Sequence, residues 1–275
     1  MEHVDAAGAR IPALGFGTFE LEPADAERMV HHALDVGYRH IDTAQMYGNE
    51  AAVGRAIAES GLDRGQLFVT TKVWMDRFRD GDLQRSVEES LGRLGLDQID
   101  LVLLHWPNPD VRLDETIGAL LDARERGLTA HVGVSNFPSA LMHQAAELAG
   151  RGELVTNQVE YHPYLPQRAV MQAARELGMS VSAYCPLARG QVFDDPVLQR
   201  IGAAHGKGPG QVALRWLLDQ GVIALPRTRT EAHADANLDV FDFALGDADR
   251  RAIETELPGP RRLIDPGFAP AWDAA

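Results

Sequence analysis

The chain has 275 residues, with 26 Lys+Arg against 40 Asp+Glu and a formal charge of −14 at pH 7. Its 45% hydrophobic and 24% charged residues exclude a disordered chain, and the acidic balance offers no electrostatic footprint for nucleic acid or an anionic membrane. The single Cys185 excludes an intramolecular disulfide and a cysteine-rich zinc site and suits a reducing compartment.

The chain opens Met1-Glu2-His3-Val4-Asp5, acidic and without an apolar stretch of the signal-peptide kind. Strands are predicted near 13–17, 39–42, 67–72, 99–105, 131–134, 155–158, 181–184 and 222–225, with helical patterns between them. In the first helix Pro23 suits the opening turn, Ala26, Met29, Val30, Ala33 and Leu34 recur at helical spacing, and Gly37 fits the stop. A second begins at Asp82 as N-cap, carries Leu83, Val87, Leu91 and Leu94 on one face, and ends at Gly95. Leu113, Ile117, Leu120 and Leu121, closed by Gly127, repeat the scheme. The densest apolar run, Leu101-Val102-Leu103-Leu104, is far too short to span a bilayer, so a cytoplasmic protein with no membrane partner is expected.

Strands alternating with helices imply right-handed βαβ units and a parallel sheet. Eight such units match an α/β fold of the (β/α)₈ TIM-barrel type, with a doubly wound open sheet as the alternative. No linker, low-complexity tract or repeat divides residues 1–275, so a single barrel domain is expected.

Several familiar motifs fail. Gly15-Phe16-Gly17-Thr18-Phe19-Glu20 begins like a dinucleotide fingerprint but places Glu20 where the third glycine belongs. The loop Gly206-Lys207-Gly208-Pro209-Gly210 lacks the Lys-Ser or Lys-Thr of a P-loop, and Gly133-Val134-Ser135-Asn136-Phe137 lacks the last glycine of a nucleophile elbow. The ten histidines include no His-Glu-x-x-His, and no metal site is expected.

What succeeds is positional. Active sites of parallel barrels gather at the carboxyl ends of the strands. Residues at or just past those ends are Thr18, Asp42 with Tyr47, Lys72, His105, Ser135-Asn136, Gln158, Tyr184 and Arg227. Singly, Asp42 could cap a helix, Tyr47 and Tyr184 could be packing aromatics, and His105 could be a core histidine. Their coincidence on one face points to a site. Only Lys72 and Lys207 among the 26 basic residues are lysines, so Lys72 is a candidate for work that guanidinium cannot do.

The chain resembles the aldo-keto reductases over nearly its whole length. Gly37-Tyr38-Arg39-His40-Ile41-Asp42-Thr43-Ala44, followed by Glu50 and Val53-Gly54, is similar to that family's first signature. Lys72 in Thr70-Thr71-Lys72-Val73-Trp74 and His105 in Leu103-Leu104-His105-Trp106-Pro107 complete an Asp-Tyr-Lys-His tetrad. Thr43-Ala44-Gln45-Met46-Tyr47, Asn49-Glu50-Ala51-Ala52-Val53-Gly54 and the ending Ala269-Pro270-Ala271-Trp272-Asp273 resemble bacterial 2,5-diketo-D-gluconate reductases, some of which also reduce methylglyoxal.

The resemblance implies NAD(P)H-dependent carbonyl reduction, and the tetrad has a physical rationale. A phenol of pKa about 10 is a poor acid near neutrality, and an ammonium at Lys72 would favour its phenolate. Asp42 would keep that buried cation paired, and His105 would hydrogen-bond the substrate oxygen. Side chains supply no hydride, so a nicotinamide cofactor is implied. By resemblance Ser135, Asn136 and Gln158 hold its carboxamide, Tyr184 stacks on its ring, Gly17 and Thr18 line it, and Leu187 lies near its pyrophosphate. The family's Pro-Lys-Ser, Arg and Glu-Asn positions appear as Pro226-Arg227-Thr228, His233 and Ala236-Asn237. Arg227 and Thr228 keep a cation and a hydroxyl for a 2′-phosphate, so NADPH is expected, with NADH admitted because His233 is mostly neutral at pH 7.

Phe19, Trp74, Trp106 and the tail near Trp272 would wall a pocket for a small-molecule carbonyl substrate, and a monomer is expected. Two rivals are a cofactor-binding redox-sensing scaffold with slow turnover and a barrel hydrolase using Asp42 and Glu50 as paired carboxylates.

Overall fold

The computed structural model describes residues 2–274. The chain opens with an antiparallel hairpin, β1 (His3–Ala6) and β2 (Ala9–Pro12), that the sequence pattern does not reveal. Its two-residue turn, Ala7-Gly8, has φ of 47° and 81°, the positive values that match the twist of a tight hairpin.

Eight strands follow: β3 (Phe16–Gly17), β4 (His40–Asp42), β5 (Phe68–Val73), β6 (Ile99–Leu104), β7 (Thr129–Ser135), β8 (Leu154–Glu160), β9 (Ser180–Tyr184) and β10 (Ile223–Ala224). They lie in sequential order and every neighbouring pair is parallel. The last strand returns to the first through a parallel bridge between Leu14 and Ala224. There Gly15 N donates to the Ala224 carbonyl at 2.9 Å, and Ala224 N donates to the Ala13 carbonyl at 2.8 Å. That closure makes the sheet a barrel and disposes of the open-sheet alternative.

Helices α1 (Pro23–Val36), α2 (Glu50–Glu59), α3 (Asp82–Leu94), α4 (Leu113–Glu125), α5 (Ser139–Ala149), α6 (Arg168–Leu177), α7 (Pro196–His205), α8 (Pro209–Leu218), α9 (Glu231–Leu238) and α10 (Asp247–Glu256) complete the fold. Gly37 caps α1 in the left-handed region, as expected. The start of α3 moves by one residue: its N-cap is Gly81, and Asp82 is the helix's first residue, its carboxylate accepting from Arg85.

Strand alternation divides the apolar residues between two layers. On β6, Val102 and Leu104 belong to the large core between strands and helices, while Leu101 and Leu103 join Phe68, Val155, Ile223 and Leu225 in a smaller cluster inside the barrel. Ala9 and Ile11 of the hairpin belong to that inner cluster. No helix among the described residues is long and apolar enough to cross a membrane.

Candidate active site

The carboxyl ends of the strands surround a cavity of about 790 Å³. Period-two alternation on β5 sends Phe68, Thr70 and Lys72 inward, whereas Thr71 points out to donate to Glu50 on α2. Lys72, 1% exposed, donates from Nζ to Asp42 Oδ1 at 2.5 Å, to the Thr43 carbonyl at 2.8 Å and to the Tyr47 hydroxyl at 3.4 Å. The second carboxylate oxygen of Asp42 accepts from Gln158 Nε2 at 2.7 Å.

Tyr47 sits on a 3₁₀ turn, Gln45–Tyr47, that Gly48 closes with φ of 69°. Gln45 anchors the turn by donating to the Ser86 carbonyl and to Ser90 Oγ and accepting from Trp74 N. Tyr47 is half-buried at the cavity wall. Its ring lies 5.6 Å from the His105 ring and 5.0 Å from Phe19. His105 follows β6 directly, its N–H donating to the Val73 carbonyl at 3.0 Å.

Burial controls the protonation of these groups. Desolvation, helped by the charge on Asp42, holds the Tyr47 hydroxyl well above its ordinary value of 10, opposite to the lowering that its proximity to Lys72 leads one to expect. Burial also lowers Lys72, while Asp42 pulls it back towards the charged form. His105 is held well below 6.5, first by burial and then by the Lys72 cation, so its imidazole is neutral at pH 7. Its Nδ1 is buried with no hydrogen-bond partner among the described residues. A neutral phenol beside a paired ammonium is a proton donor with a cation at hand for the charge left behind.

A second polar chain links β7, β8 and β9. Ser135 Oγ donates to the Gln158 carbonyl at 2.7 Å, Asn136 Nδ2 donates to Ser135 Oγ at 3.1 Å, and Tyr184 donates to Asn136 Oδ1 at 2.8 Å. Ser135, Asn136, Gln158, Tyr184, Leu187, Gly17 and Arg227 all line the cavity, as do Phe19, Trp74 and Trp106. Five predicted residues do not. Lys72 is buried beneath the wall, against Asp42 and the Tyr47 hydroxyl. Thr18 is fully buried behind the wall, with its hydroxyl bonded to the Asp42 carbonyl and Asn49. Thr228 turns its hydroxyl to Thr230, Asn237 is buried on α9, and His233 is exposed on α9 with its ring nearly parallel to Phe193 at 6.5 Å.

The donor set fits a nicotinamide dinucleotide. Amide and hydroxyl groups of Ser135, Asn136 and Gln158, the Tyr184 ring, and the guanidinium groups of Arg189 and Arg227 all line the one cavity. Glu50, by contrast, is occupied by Thr71, Ser90 and Arg93 and does not line the cavity, so it is not placed to pair with Asp42 as the hydrolase alternative requires. Among the described residues no group of three or more His, Cys, Asp or Glu is placed to hold a metal.

The C-terminal tail forms the remaining wall, and its anchors were not legible in the sequence. Phe268 meets Trp74 at 5.7 Å and Trp106 at 5.4 Å, and Trp272 meets Trp106 at 5.9 Å. Buried Glu160 accepts from the backbone N–H groups of Leu263 and Ile264 at 2.7 and 2.9 Å. Asp273 accepts from Ser139 N at 2.8 Å and Ser139 Oγ at 2.6 Å. Glu160 ends β8, so the rule that selected Gln158 extends to it.

Residues 13–256 match the model of the Aldo/keto reductase family. The methylglyoxal reductase DkgB of Escherichia coli O157:H7 is 42% identical over 266 residues, spanning 96% of this chain and 99% of that protein. An aldo-keto reductase of Mycobacterium sp. (strain KMS) is 39% identical and covers 94% of both chains. A solved structure provisionally designated a 2,5-diketo-D-gluconic acid reductase B superposes with a TM-score of 0.96 at 50% identity, covering 100% of this chain and 98% of the other. The aldose reductase of Schistosoma japonicum superposes at 0.90 with 31% identity, over 96% of this chain and 94% of its own. Eight parallel strands closed by the Leu14–Ala224 bridge, a polar cluster at their carboxyl ends and similarity along nearly the whole length place this chain in the aldo/keto reductase family.

Proposed function

We propose that this protein reduces small aldehydes, dicarbonyls or keto-sugar acids to alcohols, with NADPH preferred and NADH accepted. The observation that carries this reading is the Tyr47 hydroxyl beside the Lys72–Asp42 pair and against neutral His105, in a cavity walled by aromatic rings.

A nicotinamide bound there would supply a hydride to the carbonyl carbon. Ser135, Asn136 and Gln158 would hold its carboxamide, Tyr184 would face its ring, and Arg227 would hold the phosphate end. Tyr47 donates a proton to the carbonyl oxygen as negative charge develops there. Lys72 stabilises the resulting phenolate, and Asp42, held by Gln158, keeps the ammonium in place. His105, being neutral, offers a hydrogen bond to the substrate oxygen without competing for the proton. Phe19, Trp74, Trp106 and Phe268 exclude water around the reacting carbon and present little polar demand, which suits small carbonyls of several kinds.

The methylglyoxal reductase relative and the diketogluconate reductase neighbour support this substrate range. Steady-state rates with methylglyoxal, a 2,5-diketo acid and an aromatic aldehyde, each with NADPH and NADH, test it. Turnover of at least one carbonyl is expected, and failure to bind either nicotinamide overturns the reading.

A further inference from the structure

Glu20 occupies the position that spoils the apparent dinucleotide fingerprint, and it lies on the rim of the cavity. Its φ of 58° is in the left-handed region, which favours glycine over a side chain. The carboxylate joins two cations from other loops. Oε1 accepts from Arg189 Nη2 at 2.7 Å, after β9, and Oε2 accepts from Arg227 Nη2, after β10. The Glu20 carbonyl accepts from Arg229 Nη2 at 2.6 Å. Strands β9, β10 and β3 are neighbours in the closed barrel, so these loops make one continuous stretch of rim.

We propose that Glu20 sets the discrimination between a dinucleotide bearing a 2′-phosphate and one bearing a free 2′-hydroxyl; this rests on the nicotinamide reading above. A phosphate monoester brings about −1.5 to −2 charges at pH 7. To reach Arg227 it must displace the Glu20 carboxylate or lie beside it against like-charge repulsion. A ribose hydroxyl is neutral, meets no such repulsion, and finds in Glu20 an acceptor of the kind that NAD sites use. Arginine favours the phosphorylated cofactor and glutamate the unphosphorylated one, and this rim carries both in contact. Side-chain exposures of 41% for Glu20, 47% for Arg189 and 32% for Arg227 make these weak, screened pairs. The bridge therefore opens readily and lowers the preference for NADPH without abolishing it.

The test is equilibrium binding of NADPH and NADH to the wild type, Glu20→Gln and Glu20→Ala, read by tryptophan quenching or calorimetry at low salt. Adenosine 2′,5′-bisphosphate and 5′-AMP serve as probes of the phosphate end alone. An exposed pair is worth up to about 1 kcal/mol, or about fivefold, so losing it together with the repulsion raises the NADPH-over-NADH affinity ratio by roughly 3- to 10-fold in both variants. The bisphosphate should gain in the same proportion over 5′-AMP, and its binding should become more sensitive to salt. A ratio unchanged within about 1.5-fold in both variants overturns the proposal. So does a falling ratio, which would mean that Glu20 prearranges the arginines for the phosphate. If the wild type binds neither dinucleotide, the nicotinamide reading itself fails.

Discussion

The Lys72 ammonium lies 3.4 Å from the Tyr47 hydroxyl, farther than from Asp42 Oδ1 at 2.5 Å or the Thr43 carbonyl at 2.8 Å. Asp42 offsets much of the cation's field, and desolvation holds Tyr47 well above 10. The resting site therefore holds a phenol, not a phenolate. Lys72 matters most when the proton leaves, because an uncompensated phenolate there would be costly.

Tyr47→Phe should reduce kcat by at least the 10²- to 10⁴-fold typical of general acid catalysis. Nicotinamide affinity should stay within about twofold, because the hydroxyl faces the ammonium of Lys72. A variant keeping a tenth of wild-type kcat would show that another group delivers the proton.

Lys72→Arg should lower kcat by at least two orders of magnitude despite preserving charge. The ammonium is a compact donor shared among a carboxylate, a carbonyl and a phenol in a fully buried position, and a planar guanidinium cannot reproduce those three directions. Cofactor binding and thermal melting, measured beside kcat, separate loss of chemistry from loss of fold. Turnover within a few-fold of wild type would reduce Lys72 to a plain ion-pair partner.

How much of this was legible beforehand follows the range of each interaction. The carboxyl-end rule located Asp42, Lys72, His105, Ser135, Asn136, Gln158, Tyr184 and Arg227 because a parallel barrel converts strand endings into a common face. The two lysines that the composition singles out have different surroundings. Lys72 is buried in the site, whereas Lys207 bridges Asp239 and Asp242 at the surface, where an arginine would serve as well. The opening hairpin escaped notice because four-residue strands carry too little alternation. The tail's anchors escaped because Glu160 and Leu263 are 103 residues apart, and Ser139 and Asp273 are 134 apart, distances that no local period reports. Residue types alone gave the wrong direction for Tyr47, since desolvation depends on the surroundings that folding creates.

His40 should make stability fall with acid. The residue is 2% exposed, shares Nε2 with Thr70 Oγ1 at 3.0 Å, and burial lowers its pKa to about 4. In the unfolded chain it titrates near 6.5. Above 6.5 both states are neutral and the penalty is absent. Below that, the unfolded chain takes up the proton first, so stability declines as pH falls from 6.5 towards 4. Between pH 7 and pH 5 this one group removes about 2 kcal/mol. Urea unfolding of wild type and His40→Asn at both pH values checks this, the variant losing correspondingly less. Equal losses would assign the acid sensitivity to other groups.

The C-terminal tail should act as a removable wall for bulky substrates. Asp273 is its distal pin, accepting from the N–H and hydroxyl of Ser139 at the start of α5, where the helix dipole also favours a carboxylate. Hydrogen bonds to a charged group contribute about 1.5–3 kcal/mol when well formed, and partial exposure of Asp273 places this pair near the lower end. Asp273→Ala should therefore loosen the segment around Trp272 and Phe268 without disturbing Tyr47, Lys72 or the polar chain from Ser135 to Tyr184. Phe268 closes the cavity over Trp74 and Trp106, so an aromatic aldehyde that uses this wall should show KM raised about tenfold. Methylglyoxal, too small to span the cavity, should change less than threefold, and nicotinamide affinity should hold. Tryptic cleavage after Arg261 and Arg262 should accelerate, reporting the loosened tail independently of catalysis. Glu160→Gln, which weakens the proximal pin at Leu263 and Ile264 instead, should move both readouts the same way. If cleavage accelerates while the ratio of aromatic to methylglyoxal kcat/KM stays constant, the tail is held as described but contributes nothing to substrate choice.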